Sequence, residues 1–114
     1  MIKLYGLKNC DTCRKALKWL KANGIAHEFS DVRADPVSSE QIAGWVAVAG
    51  WETLLNRRGT TWRGLPETDK DNVDQASAIA LMAEHPALMK RPIIETADTV
   101  MIGFSPETQN ALSG

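Results

Sequence analysis

The sequence has 114 residues, which is enough for one domain with its own hydrophobic core. Its 13 lysines and arginines nearly balance 14 aspartates and glutamates, so the net charge of −1 gives no electrostatic case for binding nucleic acid or a membrane. Two cysteines are too few for a disulfide-rich scaffold. No apolar run approaches the ~20 residues that span a bilayer, and the N-terminus lacks a signal-peptide pattern. We therefore expect a cytoplasmic protein.

The first elements follow the order strand, helix, strand. Residues 2–5 predict a short strand, residues 11–23 a helix that Gly24 ends, and residues 25–32 a second strand. This order favours a right-handed crossover and a parallel strand pair. The predicted buried stripe of the helix, at i, i+3, i+4 and i+7 spacing, consists of Cys13, Ala16, Leu17 and Leu20.

The middle of the chain is predicted to be helical. Ser38 has the character of an N-cap for the next helix, and residues 51–55 predict a short helix or turn. Residues 56–63 are basic, polar and typical of a loop. Residues 69–84 predict a further helix with a break near Asn72.

The C-terminal part predicts a hairpin followed by a helix. Residues 93–95 and 100–103 are strand candidates, joined by a tight turn at 97–98, and Ser105 caps the last helix with Pro106 at its first position. The complete order predicts an α/β protein with a thioredoxin-like fold, in which a four-stranded mixed sheet is flanked by helices. We expect a single domain over 1–114, with a helical insertion at about 38–84.

The only two cysteines form a Cys-x-x-Cys pair where the first strand passes into the first helix. Cys10 lies at the helix start, where unpaired N–H groups and the helix dipole favour a thiolate, so it is the candidate nucleophile. Cys13 begins the buried stripe and lies one turn along, within reach to resolve a mixed disulfide. The alternative is that the pair consists of unrelated small core residues. We expect no metal, because two thiols cannot complete a four-ligand zinc site and neither histidine has ligand spacing to them.

Anion binding is the second chemistry that the sequence indicates. The candidates are Arg57, Arg58, Arg63 and Arg91, because a guanidinium holds a carboxylate or an oxyanion bidentately and lowers the pKa of a nearby thiol. Pro92 precedes the third predicted strand, where a cis bond would let a thiol substrate approach in an extended conformation. From the sequence alone, an ordinary trans proline is favoured.

Several long motifs carry a family resemblance. They are LYGLKNCDT at 4–12, GWETLLNRRGTTWR at 50–63, Pro86, MKRPI at 89–93 and GFS at 103–105. With these motifs the chain resembles the arsenate reductase (ArsC) superfamily, which includes the Spx regulators, and it is most similar to the small YffB-like branch. The resemblance covers essentially the whole chain and implies the thioredoxin-like fold with a helical insertion.

The resemblance also implies roles for individual residues. Arsenate reductases of this type attack arsenate with the cysteine that matches Cys10, and they finish the reaction with glutathione and a glutaredoxin. Arg91 matches one of three supporting arginines, and Arg57 or Arg58 lies near the second. Thr12, in the first motif, and Pro92 complete the expected substrate site.

Two departures from the pattern argue against efficient arsenate turnover. Phe104 stands near the position of the third arginine, and Gly6 replaces a histidine four residues before the cysteine. A lost bidentate guanidinium contact is worth roughly 1.5–3 kcal/mol. The resemblance therefore implies a glutathione-dependent thiol reductase, with glutathione or a glutaredoxin-type protein as partner. We expect no bound cofactor and a monomer, although the sequence itself is silent on the oligomeric state.

Cys13 supplies an alternative of a different class. Spx regulators carry a similar Cys-x-x-Cys-Arg-Lys-Ala run, which is a redox switch on a protein that binds RNA polymerase. A redox-sensing regulator is therefore the second hypothesis, and a genuine arsenate reductase is the third. The match over 50–63 and at 6–9 favours the reductase.

Overall fold

The computed structural model describes residues 2–97 and 99–113. Its strands are β1 (Ile2–Gly6), β2 (His27–Asp31), β3 (Ile93–Glu95) and β4 (Val100–Ile102). Its helices are α1 (Asp11–Ala22), α2 (Ser39–Ala49), α3 (Trp51–Leu54), α4 (Thr60–Arg63), α5 (Glu67–Lys70), α6 (Gln75–Glu84) and α7 (Pro106–Ser113), with a 3₁₀ turn at Pro86–Leu88. Within the described residues, no helix combines the length and the apolar character that crossing a membrane requires.

The four strands form one mixed sheet in the order β2-β1-β3-β4. β1 pairs with β2 in parallel, whereas β1 with β3 and β3 with β4 are antiparallel. The predicted thioredoxin-like architecture is confirmed. Asp98, in the predicted hairpin turn, lies outside the described residues, and the N–H of Thr96 donates to the carbonyl of Thr99 (2.9 Å) across that turn.

The chain forms two compact units: the described parts of 1–35 with 91–114, and residues 36–90. The first unit contains the sheet, α1 and α7. Its core forms where the buried stripe of α1 meets the sheet, and the fully buried residues there are Leu4, Ala16, Leu20 and Ile94. Leu17, at the edge of the stripe, is only half-buried. α1 ends at the predicted glycine because Gly24 adopts a φ of +65°.

The second unit is helical. The hydroxyl of Ser38 accepts a hydrogen bond from the N–H of Gln41 (3.2 Å), so the predicted N-cap of α2 is confirmed. α2 packs against α6, and its buried residues are Ile42, Trp45 and Val46. The predicted break near Asn72 is also confirmed, since Asn72 has a φ of +54°. After this break, α6 begins behind its N-cap Asp74, which forms a capping box with Ser77.

One local prediction was wrong. Residues 56–63 were expected to be a loop, but Thr60–Arg63 forms the single helical turn α4. The N–H of Arg63 donates to the Gly59 carbonyl (3.3 Å), and the N–H of Gly64 donates to the Thr60 carbonyl (2.9 Å). A single turn has no apolar periodicity that a sequence pattern could reveal. The bounds of the predicted insertion, and its status within a single domain, stay predictions.

Candidate active site

The loop between β1 and α1 brings Cys10 to the start of the helix. The N–H of Cys10 donates to the carbonyl of Leu7 (3.1 Å), which closes a tight turn directly after the strand. Cys10 has an extended backbone and is the N-cap of α1, and its carbonyl accepts from the N–H of Arg14 (3.0 Å). The residue therefore lies where the first N–H groups of the helix have no helical acceptor.

The half-buried Cys10 thiol has a pKa below its ordinary value. Burial raises the pKa of this thiol, but hydrogen bonds from the N–H and the thiol of Cys13, the Arg91 side chain and the N–H of Thr12 favour the thiolate and outweigh burial. Several interactions therefore share this effect. Because the thiolate is the attacking form, the surroundings of Cys10 suit a nucleophile.

Cys13 has the opposite environment. Its side chain is 1% exposed, and burial raises the pKa of its thiol to about 11. The N–H of Leu7 opposes this rise in pKa, whereas the neighbouring Cys10 sulfur adds to it. At neutral pH, Cys13 is therefore a protonated thiol that donates to the Cys10 sulfur. Both cysteines are free, and the prediction that Cys13 is the more buried of the two is confirmed.

The turn before β3 brings Arg91 to the cysteine pair. The side chain of Arg91 is half-buried and reaches Cys10. The Arg91–Pro92 peptide bond is cis, so the favoured trans isomer was wrong. The trans preference of such a bond is only about 0.5–1 kcal/mol, so tertiary contacts decide the isomer. Pro92 is buried, and its carbonyl accepts from the N–H of Gly103 (2.8 Å).

Asp31, at the end of β2, is a residue that sequence reasoning missed. One carboxylate oxygen accepts from the N–H groups of Arg33 (2.8 Å) and Ala34 (3.2 Å), and the other accepts from the N–H of Lys8 (3.2 Å). These hydrogen bonds hold the pKa of Asp31 below its usual value. The carboxylate thus fixes the cysteine loop to the turn after β2. The available sequence signal was an aspartate at a strand end, which is typical of an Asx turn.

The second unit contains a basic cleft of about 340 Å³. We define the basic cleft by its lining residues, which are Glu52, Leu55, Asn56, Arg57, Arg58 and Lys90. The guanidinium of Arg57 lies over the ring of Trp51 (5.6 Å to its centroid), and the N–H of Arg58 donates to the Asn56 side-chain oxygen (3.0 Å). With three cations and one carboxylate, the cleft suits an anion. Sequence reasoning named both arginines but not Lys90.

The structure thus brings Cys10, Thr12, Cys13 and Arg91 together, with Pro92 adjacent. Arg57 and Arg58 lie in the basic cleft of the second unit, where the Arg63 guanidinium donates to the Arg58 carbonyl (2.6 Å). Among residues 2–97 and 99–113, no three His, Cys, Asp or Glu side chains form a group that could hold a metal ion.

Comparisons with known proteins agree on one family. The model of the ArsC family matches residues 5–112. An uncharacterized protein of Haemophilus influenzae is 42% identical over 111 residues, which cover 97% of each chain. The global transcriptional regulator Spx of Streptococcus agalactiae is 29% identical over 109 residues, which cover 94% of this chain and 79% of the regulator.

Solved structures extend this similarity to the fold. A structure of a protein named YffB superposes with a TM-score of 0.95 and 40% identity over the full length of both chains. An arsenate reductase (ArsC) related protein from Brucella melitensis superposes with a TM-score of 0.77 and 43% identity, over 96% of this chain and 92% of its own. The family resemblance predicted from the motifs is confirmed.

Proposed function

The chain belongs to the ArsC family, and we propose that it is a thiol–disulfide reductase with Cys10 as nucleophile and Cys13 as resolving thiol. The observation that supports this most strongly is the contrast between the two sulfurs. Cys10 is a half-buried helix N-cap with a lowered pKa, whereas the Cys13 thiol is buried, protonated and in contact with it. Attack and resolution require this division of roles.

The reaction follows from thiol–disulfide exchange. The Cys10 thiolate attacks one sulfur of an oxidised substrate; the substrate S–S bond breaks, and the leaving thiolate takes up a proton. Cys13 then loses its proton and attacks the Cys10 sulfur, which releases the second substrate thiolate and forms a Cys10–Cys13 disulfide. The substrate has gained two electrons. Two molecules of a low-molecular-weight thiol reduce the protein disulfide and become oxidised to their own disulfide.

We propose glutathione as that thiol, with a glutaredoxin-type protein as the alternative partner. Glutathione carries two carboxylates, and the Arg91 guanidinium beside Cys10 can hold one of them bidentately. The basic cleft of the second unit, with Arg57, Arg58 and Lys90, is a separate candidate for binding an anion. Because the sulfurs carry the electrons, the reaction needs no bound cofactor. A free dithiol suits a reducing compartment, so we propose that the protein acts in the cytoplasm. We also propose that it is a monomer.

Arsenate reduction is supported less well. Near the position where the family resemblance requires a third arginine, Phe104 packs edge-on against Trp19, with ring centroids 5.7 Å apart and an interplanar angle of 67°. An aromatic pair gives an oxyanion no charge-assisted contact. We therefore propose a disulfide rather than arsenate as the oxidised substrate.

Turnover of two candidate substrates tests this proposal. The purified wild type, Cys10→Ser and Lys15→Ala proteins are each supplied with a glutathionylated peptide or with arsenate, and glutathione serves as the reductant. The rate at which the reduced product forms is measured for each protein and each substrate. We expect turnover of the peptide, its loss in Cys10→Ser, and wild-type rates in Lys15→Ala, which removes an exposed cation of α1. Faster turnover of arsenate than of the peptide, or peptide turnover by Cys10→Ser, would overturn the proposal.

The second candidate is a redox-sensing regulator. It is favoured by the similarity to the regulator Spx over 94% of the chain and by the Cys-x-x-Cys pair. In this function, the Cys10–Cys13 disulfide would change binding to RNA polymerase rather than belong to a catalytic cycle. Binding of purified RNA polymerase to the reduced and the oxidised protein distinguishes the two. Redox-dependent binding together with no peptide turnover would favour the regulator.

A further inference from the structure

Gly6, the last residue of β1, lies directly against the buried Cys13 side chain. A Cβ built on Gly6 would collide with the Cys13 sulfur, while it would meet the Cys13 Cβ at 3.4 Å and the Phe29 ring at 3.7 Å, which are ordinary contacts. The sulfur therefore fills the space that any other residue at position 6 would occupy.

The backbone at this position does not itself require glycine. Gly6 pairs with Asp31 in the regular parallel register, and its carbonyl accepts from the N–H of Val32 (2.9 Å). The described glycines with positive φ are Gly24, Gly50 and Gly103. Glycine at position 6 therefore matters because it leaves space for the Cys13 sulfur, and not because the backbone needs a conformation that only glycine adopts.

We propose that Gly6 is the positioning residue of the cysteine pair, because its missing side chain creates the space that holds the Cys13 sulfur beside Cys10. Glycine at 6 and cysteine at 13 then act as one unit. A larger residue at position 6 displaces the Cys13 sulfur within the core or out of it. The displaced Cys13 thiol can then neither donate to the Cys10 sulfur nor form a disulfide with Cys10 in the required geometry. The use of this geometry for resolution rests on the proposed function, whereas the packing relation stands apart from it.

A double-mutant cycle tests the relation. It compares the wild type with Gly6→Ala, Cys13→Ala and the double variant, and uses Gly44→Ala, a helical position with open space for a methyl group, as the matched control. Three quantities are measured on the purified protein without substrate. They are the midpoint of urea unfolding, the pH dependence of Cys10 alkylation, and the fraction of intramolecular disulfide in a glutathione redox buffer.

In the wild-type background, we expect Gly6→Ala to lower the unfolding midpoint and to shift Cys10 alkylation to higher pH. It should also reduce the equilibrium constant for the Cys10–Cys13 disulfide by about 10-fold or more, because disulfides tolerate little departure from their geometry. In the Cys13→Ala background, the same substitution should barely change the midpoint or the alkylation profile, since the colliding sulfur is gone. Gly44→Ala should not lower the midpoint.

Several results would overturn the inference. They are equal effects of Gly6→Ala in both backgrounds, an unchanged disulfide equilibrium in Gly6→Ala, or failure of the double variant to fold. If only the single Gly6→Ala variant fails to fold while the double variant folds, the inference is supported. None of these measurements depends on turnover, so an inactive protein with the expected cycle contradicts the proposed reductase alone.

Discussion

The acidity of Cys10 depends on a small set of neighbours at the start of α1. Burial works against its thiolate, and the backbone of Thr12, both groups of Cys13 and the Arg91 side chain work for it. Only Arg91 contributes a full positive charge. Substituting it therefore separates the part of the effect that comes from charge from the part that comes from the helix start.

For this reason, we expect Arg91→Ala to raise the pKa of Cys10 and to lower thiol-transfer turnover by roughly 10-fold, where one decade corresponds to about 1.36 kcal/mol. Arg91→Lys keeps the charge but loses the planar fork, so it should weaken glutathione binding more than it changes the Cys10 pKa. Alkylation against pH and thiol-transfer kinetics measure the two effects, with Lys15→Ala as the charge-loss control. Unchanged kinetics and acidity in Arg91→Ala would show that this guanidinium has no role in the site.

Asp31 gives a second prediction, which concerns the loop rather than the sulfur. Asp31→Asn replaces a carboxylate that accepts three backbone N–H groups with an amide that has one acceptor oxygen. We expect a lower unfolding midpoint at neutral pH and slower Cys10 alkylation, measured beside Asp35→Asn, which changes an exposed carboxylate in the turn after β2. Identical behaviour of the two variants would contradict this role.

The sign of the pH effect follows from the lowered pKa of Asp31. A carboxylate with a depressed pKa in the folded protein stabilises it above the unfolded-state pKa, and this stabilisation is lost as the pH falls through the folded-state pKa. The stability difference between the wild type and Asp31→Asn should therefore be full at neutral pH and shrink in acid. A difference that grows on acidification would contradict the assignment.

At this scale, the sequence predicted the division between the cysteines but not their surroundings. The 3.6-residue period of α1 is local, so it indicated that Cys13 is the more buried of the two cysteines. The contact between Asp31 and Lys8 spans 23 residues and depends on the β1–β2 register. The isomer of the Arg91–Pro92 bond likewise depends on tertiary contacts that no local pattern contains.

At the scale of elements, α1 links the site to the core of its unit. The face that begins with Cys13 continues through Ala16 and Leu20, which are fully buried against the sheet. Packing of this face therefore fixes the direction in which the N-terminus of the helix, and with it Cys10, projects.

Truncating this face should destabilise the protein by an amount that follows burial. We expect Leu20→Ala, at a fully buried position, to lower the free energy of unfolding by about 2–5 kcal/mol. Leu17→Ala, at a half-buried position on the same helix, should cost clearly less. Urea unfolding of the two variants measures both values. Equal losses would mean that the helix face is oriented differently.

Element boundaries were predictable where a cap or a glycine marks them. Two helix starts were marked by their caps, α2 by Ser38 and α7 by the Ser105–Pro106 pair, and the end of α1 was marked by Gly24. At the start of α7, the N–H of Thr108 donates to the Ser105 hydroxyl (3.3 Å). The single turn α4 was missed because four residues carry too little periodicity. The break before α6 was predictable because Asn tolerates a positive φ better than most residues.

At the scale of the whole molecule, the order of elements determines the sheet. A βαβ unit at one end and a ββα unit at the other leave β1 and β3 to pair centrally, and the observed order is β2-β1-β3-β4. The arrangement of the helices within residues 36–90 could not be read from the sequence, because short helices with small residues allow several packings. For the same reason, the sequence could not predict the basic cleft within that unit or the place of Lys90 in it.

Trapping with glutathione disulfide tests the central claim, that Cys10 attacks and Cys13 resolves, most directly. Reduced wild type, Cys10→Ser and Cys13→Ser are mixed with one equivalent at neutral pH, quenched in acid and mapped by mass spectrometry. We predict a Cys10–Cys13 disulfide without bound glutathione in the wild type, stable glutathione on Cys10 in Cys13→Ser, and almost no reaction in Cys10→Ser. Glutathione retained on Cys10 of the wild type, or on Cys13 of Cys10→Ser at a comparable rate, would contradict the account.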